Sequence, residues 1–285
     1  MRFGKADHVR LKTAFLTLAA AALAGVAGAA AFVWIGVYDV SVTAQHTQPV
    51  YALLRVAMSR SVALRARGIE APPLHDERRI RQGAACYGEL CLQCHGGPGA
   101  APEPIGLAMQ PLPGPLVDAP QHWRPRELYW ITRHGLKMTG MPAWQHRLSE
   151  DELWAVVAFV QQLPGHTPAT FEAALAAGAG QCRAAEAVPA RRPGDARIGR
   201  EVFHHYACNN CHVIPGVTGP HVQVGPPLAG IASRRLIAGA LPNSQAAMVR
   251  WLRDPQAIDP QTAMPALGVS EQDARDMAAY LATLR

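Results

Sequence analysis

The stretch ELCLQCH occupies residues 89–95, and a close counterpart, ACNNCH, occupies residues 207–212. Each contains two cysteines separated by two other residues, and a histidine follows the second cysteine at once. The chain has 285 residues and 6 cysteines, so two such motifs use most of its cysteines. The chemistry that accounts for both copies therefore decides what kind of fold the chain must build around them.

Four kinds of site contain two cysteines at this spacing, and the sequence around the motifs argues against three of them. A thioredoxin-like redox pair follows a β-strand, and no strand pattern precedes either motif. A zinc site requires four ligands, and neither half supplies a second close Cys/His pair. A disulfide across two residues would be strained and would leave the histidine without a role. Cys-x-x-Cys-His is the attachment sequence of c-type haem, in which both thiols bond to the haem and the histidine binds the iron. We therefore predict two covalently attached haem c groups, on Cys91, Cys94 and His95 and on Cys208, Cys211 and His212.

Methionines supply the expected second iron ligand in each half. A haem that only transfers electrons needs a ligand on both faces of the iron. The first half presents Met138 and Met141 in HGLKMTGMPAW, and the second presents Met264 in QTAMPALGV. Met141 and Met264 each precede a proline, which fixes the loop, so we predict that these two bind the iron. We expect Met138 to line the pocket; packing in a core is the alternative role for any of the three.

Each iron-binding histidine also needs a hydrogen-bond acceptor for its second ring nitrogen. Loops rich in proline and glycine follow both motifs, at Pro113-Gly114-Pro115-Leu116 and Gly225-Pro226-Pro227-Leu228. We expect the backbone carbonyl of Pro226 to be the acceptor in the second half. In the first half Pro113 and Pro115 are equal candidates.

Helix signals in both halves predict an all-α chain. Little β-type alternation occurs, while glycine and proline interrupt short periodic segments. Gly83 and Gly199 each lie four residues before an aromatic residue in the leading helix of their half. Glycine costs a helix about 1 kcal/mol relative to alanine, so we expect close helix crossings there. The last helix of the first half opens with a capping box at Ser149, and that of the second half opens at Ser270.

Composition divides the chain into five segments. Residues 1–40 are predicted to be a cytoplasmic N-terminus with a transmembrane anchor. Residues 41–75 form a juxtamembrane stalk with an arginine-bearing helix that lies either on anionic headgroups or against the following unit. Residues 76–165 and 195–285 form two compact units, and the Ala/Gly/Pro-rich residues 166–194 are predicted to be the linker between them.

The apolar run at residues 13–38 contains no charged residue and exceeds the ~20 residues that span a bilayer. Basic residues precede this run, and Asp39 follows it, so the positive-inside rule places the later residues outside the cytoplasm. We expect a single-pass protein of the bacterial inner (cytoplasmic) membrane with its haem units on the periplasmic side. A cleaved signal peptide is the alternative, because Gly28-Ala29-Ala30-Ala31 would suit a peptidase.

The net charge of +6, from 27 basic and 21 acidic residues, is compatible with an acidic protein partner or an anionic membrane. Nucleic acid is not expected as a partner, since no Lys/Arg block is interleaved with aromatic residues. Cys86 and Cys182 lie outside the motifs. In an oxidising compartment they form either a disulfide between the linker and the first unit or two separate thiols.

Both units resemble class I c-type cytochrome domains in the glycine-aromatic helix, the Cys-x-x-Cys-His motif, the Gly-Pro-x-Leu loop and the Met-Pro pair. The resemblance covers about residues 76–165 and 195–285. The second unit is similar to the cytochrome domain fused to subunit II of caa-type oxidases, although nothing in the chain resembles a dinuclear copper domain. The plan of an anchor and two haem units resembles the dihaem subunit of cbb-type oxidases, from which the juxtamembrane segment departs.

This resemblance implies an electron-transfer protein without catalytic residues. We expect it to carry single electrons in a respiratory chain, from a quinol-oxidising complex or a dehydrogenase toward a terminal oxidase. One alternative is a cytochrome subunit built stably into an oxidase or dehydrogenase complex. Another is a dihaem peroxidase-type enzyme, which would need one iron with an open or labile ligand position.

Overall fold

The computed structural model of the protein describes residues 5–182, 192–222 and 224–285, and helices dominate them. The contacts within the chain divide it into Met1–Tyr51 and Ala52–Arg285. The two compact units predicted at residues 76–165 and 195–285 both lie in the second of these parts. The two short strands β1 (Leu236–Ile237) and β2 (Leu241–Pro242) pair in antiparallel fashion. The all-α prediction is confirmed. The helices are α1 (Lys5–Ile35), α2 (Gln48–Arg65), α3 (Glu77–Cys86), α4 (Leu92–His95), α5 (Pro104–Leu107), α6 (Ala119–His122), α7 (Pro125–His134), α8 (Glu150–Val160), α9 (Pro168–Gly178), α10 (Ala196–Val202), α11 (Gln245–Arg253), α12 (Pro255–Ile258) and α13 (Glu271–Leu281).

Helix α1 contains the apolar run found in the sequence. Its segment Val9–Ile35 has a mean hydropathy of 2.1, and the most apolar part of that segment is not buried against other residues. By length and composition it is the one helix among the described residues that is able to cross a membrane.

Helix α2 is used in two ways along its length. Its C-terminal half packs within the unit Ala52–Arg285, where Val62 is buried, as is Ala66 directly after the helix. Its N-terminal half leaves Leu53 and Leu54 exposed, so packing against the following unit accounts for only part of this helix. Contact of the exposed half with anionic headgroups stays a prediction.

The first compact unit is organised by the crossing of α3 and α8. A Cβ atom at Gly83 would lie only 1.9 Å from the backbone oxygen of Ala155, so only glycine allows this approach. The close helix crossing predicted at Gly83 is therefore confirmed. The capping box at the start of α8 is also present, with Ser149 accepting a hydrogen bond from the Glu152 amide and Glu152 accepting one from the Ser149 amide.

The predicted linker is partly wrong, because helix α9 lies inside it and belongs to the first unit. Phe171 is 2% exposed and packs into the core of that unit beside Tyr87 and Phe159. Thr167 caps the helix and Pro168 occupies its first turn, which is a recognisable helix start. The alanine and glycine content of this stretch hid that signal. Residues 183–191 of the predicted linker lie outside the described residues.

A disulfide between Cys86 and Cys182 ties the chain beyond α9 to the end of α3. The structure thereby selects the disulfide over the alternative of two separate thiols. Cys86 is fully buried in the core of the first unit. Residues 87–181, with the whole first haem motif, lie inside the closed loop.

Replacing both Cys86 and Cys182 by serine should lower the free energy of unfolding of the first unit by about 2–5 kcal/mol, because the open chain gains entropy when it unfolds. Denaturant titration of the matured protein, followed at the absorption of each haem, measures this loss. The second unit should unfold at an unchanged denaturant concentration. Equal stability with and without the two substitutions would show that the thiols are not paired.

The second compact unit repeats the crossing with α10 and α13. A Cβ at Gly199 would lie 2.0 Å from the backbone oxygen of Asp276, so this prediction is confirmed as well. The buried Asp276 carboxylate accepts hydrogen bonds from the Arg192 guanidinium at 2.7 and 2.6 Å and from the Asp195 amide at 2.7 Å. These bonds compensate the burial of the charge and fix the chain where it enters α10.

Candidate haem-binding sites

The first motif continues directly from the leading helix. After α3 the chain forms one wide helical turn over Tyr87–Cys91, and α4 carries the remaining motif residues up to His95. Tyr87 is fully buried, and its hydroxyl donates a hydrogen bond of 2.7 Å to the carbonyl oxygen of Gly96. Phe171 lies against Gly97, where a Cβ would be 2.3 Å from the ring. The core of the unit thus fixes the backbone directly after His95.

A backbone carbonyl fixes the ring of His95. Its Nδ1 lies 2.8 Å from the carbonyl oxygen of Gly114. A carbonyl only accepts, so Nδ1 carries the proton and Nε2 keeps its lone pair free for a metal. Burial lowers the pKa of His95, although the Gly114 carbonyl opposes this effect. The ring is therefore neutral near neutral pH, as a metal ligand must be.

The carbonyl of Gly114 is the hydrogen-bond acceptor for His95 in the first unit. The expectation that Pro113 or Pro115 would be this acceptor was wrong. The second unit shows why. There the acceptor is the carbonyl of Pro226, which precedes Pro227, and Gly114 likewise precedes Pro115. A residue before proline is restricted to an extended conformation, which holds its carbonyl in place. Matching the two loops at their shared Pro-Leu ends would have identified Gly114 from the sequence.

The second motif sits on a short 3₁₀ turn, Cys208–Asn210. His212 Nδ1 donates to the Pro226 carbonyl at 2.7 Å, the acceptor expected from the sequence. Gly225 packs flat against the imidazole, where a Cβ would be 2.4 Å from Cε1, and its amide donates to the Cys211 carbonyl at 2.7 Å. Arg234 holds the same loop through a hydrogen bond of 2.7 Å to the Pro227 carbonyl. No sequence pattern pointed to this loop contact.

The four motif cysteines are free thiols, since none of them joins a disulfide in the described part of the chain. Cys91 is buried and the other three are half-buried. Burial, and then the neighbouring Cys94, raises the pKa of the Cys91 thiol to about 12. Burial also raises the pKa of Cys208 to about 11. Cys91 and Cys208 are thus held as uncharged thiols near neutral pH.

Met141 and Met264 have matching local structures. Each is half-buried, and Met264 packs against the core of the second unit. Each donates its backbone N–H to the hydroxyl of a threonine two residues earlier, Met141 to Thr139 at 3.1 Å and Met264 to Thr262 at 3.3 Å. The shared pattern Thr-x-Met-Pro is a sequence signal that would have matched the two loops.

Met138 does not line a pocket, so that expectation was wrong. Its side chain is 94% exposed, and its backbone lies in the left-handed region with φ of 60°. A different methionine lies near Met141: a Cβ at the adjacent Gly140 would be 2.4 Å from the Met109 sulfur. Met109 was missed because the chain separates it from the Met-Pro pair.

The residues of both sites fit a covalently held haem. Each unit provides two free thiols, an imidazole with its Nδ1 already bonded to a backbone carbonyl, and a half-buried methionine on a fixed loop. In the first unit the buried Nε1 of Trp144 has no hydrogen-bond partner among the described residues. Trp144 follows Met141 closely in the chain and is a donor that an anionic group of a cofactor would satisfy.

Comparisons with known proteins match each unit separately. Residues 78–160 match the family model described as cytochrome c oxidase, cbb3-type, subunit III, and residues 196–285 match the model described as cytochrome c. One curated relative is the protein named cytochrome c oxidase subunit 2 from Alkalihalophilus pseudofirmus, 37% identical over 91 residues. The match covers 32% of this chain and 26% of that protein, so the chain spans about a quarter of the relative's length.

Two different cytochrome models thus match the two segments that carry the motifs and their fixed histidines. The agreement between matched residues and site geometry supports covalently bound haem c and a role in electron transfer. It also links the chain to the proteins of terminal oxidases. The chain therefore contains two cytochrome c domains, one at residues 78–160 and a second at residues 196–285.

Proposed function

We propose that this chain is a membrane-anchored dihaem cytochrome that carries single electrons in a respiratory chain toward a terminal oxidase. The observation that carries the proposal is the duplicated site geometry, in which each motif histidine is held by a backbone carbonyl, Gly114 in one domain and Pro226 in the other. Haem c in such a site supplies reversible one-electron exchange between Fe(II) and Fe(III). That exchange requires no general acid, general base or nucleophile from the protein.

The residues of the chain attach each haem, orient the ligands of its iron and shield it. The motif cysteines would form thioether bonds, the two histidines would bind one face of each iron, and the two methionines would bind the other. A thioether ligand favours reduced iron and gives a higher potential than a second histidine would. The hydrogen bonds from Nδ1 hold each imidazole plane fixed, so little rearrangement accompanies a change of charge. The proposed set is Cys91, Cys94, His95 and Met141 in the first domain, and Cys208, Cys211, His212 and Met264 in the second.

The proposed location is the bacterial inner membrane, with both domains on the periplasmic side. Helix α1 supports an anchor by its length and hydropathy. The basic residues before it and Asp39 after it support an orientation with the N-terminus in the cytoplasm. The disulfide of the first domain supports an oxidising compartment. A cleaved signal peptide would leave both domains in the same compartment without the anchor.

The proposed donor is a quinol-oxidising complex or a dehydrogenase, and the proposed acceptor is a terminal oxidase. Both the family model matched by residues 78–160 and the curated relative carry the names of oxidase subunits. This observation also favours a second candidate function, a cytochrome subunit built permanently into an oxidase complex. Mild detergent extraction separates the two, because a built-in subunit comes out together with oxidase subunits and a mobile carrier does not.

Reoxidation of the purified, matured and chemically reduced protein tests the proposed function. Membranes of the same bacterium, from a strain lacking this chain, should reoxidise it under air, and cyanide should block the reaction, because a terminal oxidase would be the electron acceptor. Absorption of the reduced haems follows the reaction. Reoxidation that ignores cyanide but requires hydrogen peroxide would instead identify a peroxidase-type enzyme. A membrane preparation boiled beforehand is the control.

A further inference from the structure

The two cytochrome c domains meet through a small polar contact. The His146 Nδ1 of the first domain lies 3.6 Å from Asp273 Oδ1 of the second. The rings of His146 and His205 stack with centroids 3.9 Å apart. The side chains of His146 and Asp273 are only 10% and 13% exposed, so the contact is largely closed to water. We define the interdomain cluster as His146, Arg147, His205, Tyr206 and Asp273.

Arg147 reaches across the same boundary with two independent contacts. Its guanidinium donates a hydrogen bond of 3.2 Å to the carbonyl oxygen of Gly268. It also lies 4.9 Å from the centre of the Tyr206 ring, within the range of a cation–π contact. A planar guanidinium that satisfies an oxygen and an aromatic face together allows few relative orientations of the two domains.

The first domain fixes the ring of His146 before contact. Arg133 Nε donates to Gln145 Oε1 at 3.2 Å, so the amide nitrogen of Gln145 is turned toward His146 Nε2, also 3.2 Å away. The amide nitrogen donates, so Nε2 accepts and the proton of neutral His146 sits on Nδ1. That proton faces Asp273 of the other domain.

The second domain prepares Asp273 in the same way. Its Oδ2 accepts hydrogen bonds from the Tyr206 hydroxyl at 2.8 Å and from the Ser270 hydroxyl at 2.9 Å. Oδ1 is left for His146. Both halves of the contact are therefore held in place by their own domain, which lowers the entropy lost when the two domains meet.

The interdomain cluster is built from chain segments next to the proposed haem ligands. His146 and Arg147 follow the Met141-Pro142 pair, and Gly268 follows Met264-Pro265. His205 and Tyr206 closely precede the Cys208 motif. The domains thus face each other with segments next to those that hold their cofactors and with the first turn of α13, which carries Asp273.

We propose that His146 and Arg147 are positioning residues that hold the two domains face to face for direct electron transfer between them, and that acidification releases this contact. The proposal rests on the proposed function, since it needs a haem in each domain. The transfer oxidises one domain by one electron and reduces the other by one electron, with no bond made or broken. Any donor can then enter at one domain while the acceptor docks at the other.

The dependence on pH follows from the stacked histidines. Burial, followed by the neighbouring His146 and His204, lowers the pKa of His205 to about 4, against a weaker opposing effect of Asp273. His134 acts in the same direction as the other histidines. Burial alone would raise the pKa of Asp273, but its bonds from His146 and Tyr206 outweigh this and lower it, so Asp273 stays charged.

The sign of the effect is that acid weakens the contact. A positive charge on the His205 ring is disfavoured by burial and by the His146 ring stacked 3.9 Å away. The docked form therefore binds fewer protons than separated domains do. Docking is therefore fully favoured above the usual histidine pKa of about 6.5 and weakens progressively as the pH falls toward 4.

Distance measurements on the intact, haem-loaded protein test the contact without relying on electron transfer. Asp151 and Arg253 are exposed residues of the two domains, and cysteines placed there accept gadolinium spin labels, since every native cysteine is bonded in the matured protein. Pulsed electron paramagnetic resonance should give a narrow distance distribution at about pH 8 and a broad one at about pH 5, where the contact is weakened. Arg147→Ala combined with His146→Ala should broaden it at both pH values.

Two matched variants make the result specific. His205→Phe keeps a stacked ring but cannot gain a proton, so its distribution should stay narrow in acid. Arg275→Ala removes an exposed arginine that pairs with Glu271 within α13 and should behave as the native protein does. A distribution that stays narrow in the double variant, or that broadens equally in acid in His205→Phe, would overturn the proposal.

Laser photoreduction then measures the rate of electron transfer between the domains. In the double variant this rate should fall about tenfold or more, as expected when a fixed orientation is lost, while the two midpoint potentials stay unchanged. An intact mass showing two haems is established first. If only one haem is present, the proposed function fails; if both are present and the rate is unchanged, the interdomain proposal alone fails.

Discussion

Replacing Cys208 and Cys211 together by serine should yield a matured chain with one covalently bound haem instead of two. Serine preserves the size of each side chain but cannot form the thioether bonds that the Cys-x-x-Cys-His motif provides. The second domain should also lose stability, because the haem would no longer be held in its interior. Intact mass under denaturing conditions measures the result directly, since non-covalent haem is removed. The native chain should carry the mass of two haems.

Two further variants complete this test. The pair Cys91→Ser with Cys94→Ser should lose the other haem and leave the second domain loaded. The pair Cys86→Ser with Cys182→Ser should keep both haems, because these cysteines bond to each other in the structure. A native chain at the mass of the bare polypeptide would contradict the haem assignment, and loss of haem in the Cys86 and Cys182 variant would contradict the division of the cysteines.

Substitution of Met264 by alanine should lower the midpoint potential of the haem in the second domain by a sizeable part of the about 0.8 V range that axial ligands span. Loss of the thioether removes the ligand that favours reduced iron. Met141→Ala should do the same in the first domain. Potentiometric titration of each haem, with the absorption band of methionine-bound ferric iron as a second readout, measures both effects.

The chain offers matched controls for the methionine experiment. Met138 lies three residues before Met141 but is 94% exposed, so Met138→Ala should leave the potential of the first domain unchanged. Met109 lies close to Gly140, and Met109→Leu tests whether its sulfur replaces that of Met141. If Met109→Leu shifts the potential and Met141→Ala does not, the ligand of the first domain is Met109.

The helical framework was predictable because single residues carried physical requirements that only one arrangement satisfies. Gly83 and Gly199 weaken their helices unless a close crossing requires them, and the structure places a backbone oxygen where each missing Cβ would be. The capping box at Ser149 is a local hydrogen-bond pattern and depends on no distant residue. Such features can be located from the sequence alone.

Site details that depend on backbone direction were harder to predict. Pro113 and Pro115 could not be separated by composition, and the actual acceptor is the Gly114 carbonyl between them. Met138 and Met141 belong to one short loop, and only the structure shows that Met138 is 94% exposed while Met141 is half-buried. A sequence shows which side chains a loop contains, but the dihedral angles decide where they point.

The contacts between the two domains could not be predicted from the sequence. No periodic pattern in the sequence connects His146 with His205. Their stacking follows from how two separately folded domains meet. The core position of Phe171 could not be predicted for a related reason. Its helix lies in an alanine-rich stretch, and Gly97, which the Phe171 ring contacts, is distant in the chain.

The bond between Cys86 and Cys182 has a mechanical consequence. When the chain is pulled from its two ends, tension passes from residue 86 to residue 182 through the sulfur atoms and bypasses everything between them. His95 and Met141 both lie in the bypassed part, so stretching should not extend the first haem site. Stretching of single molecules with and without reductant should therefore differ by the contour length of the bypassed residues, while the second domain extends in both cases.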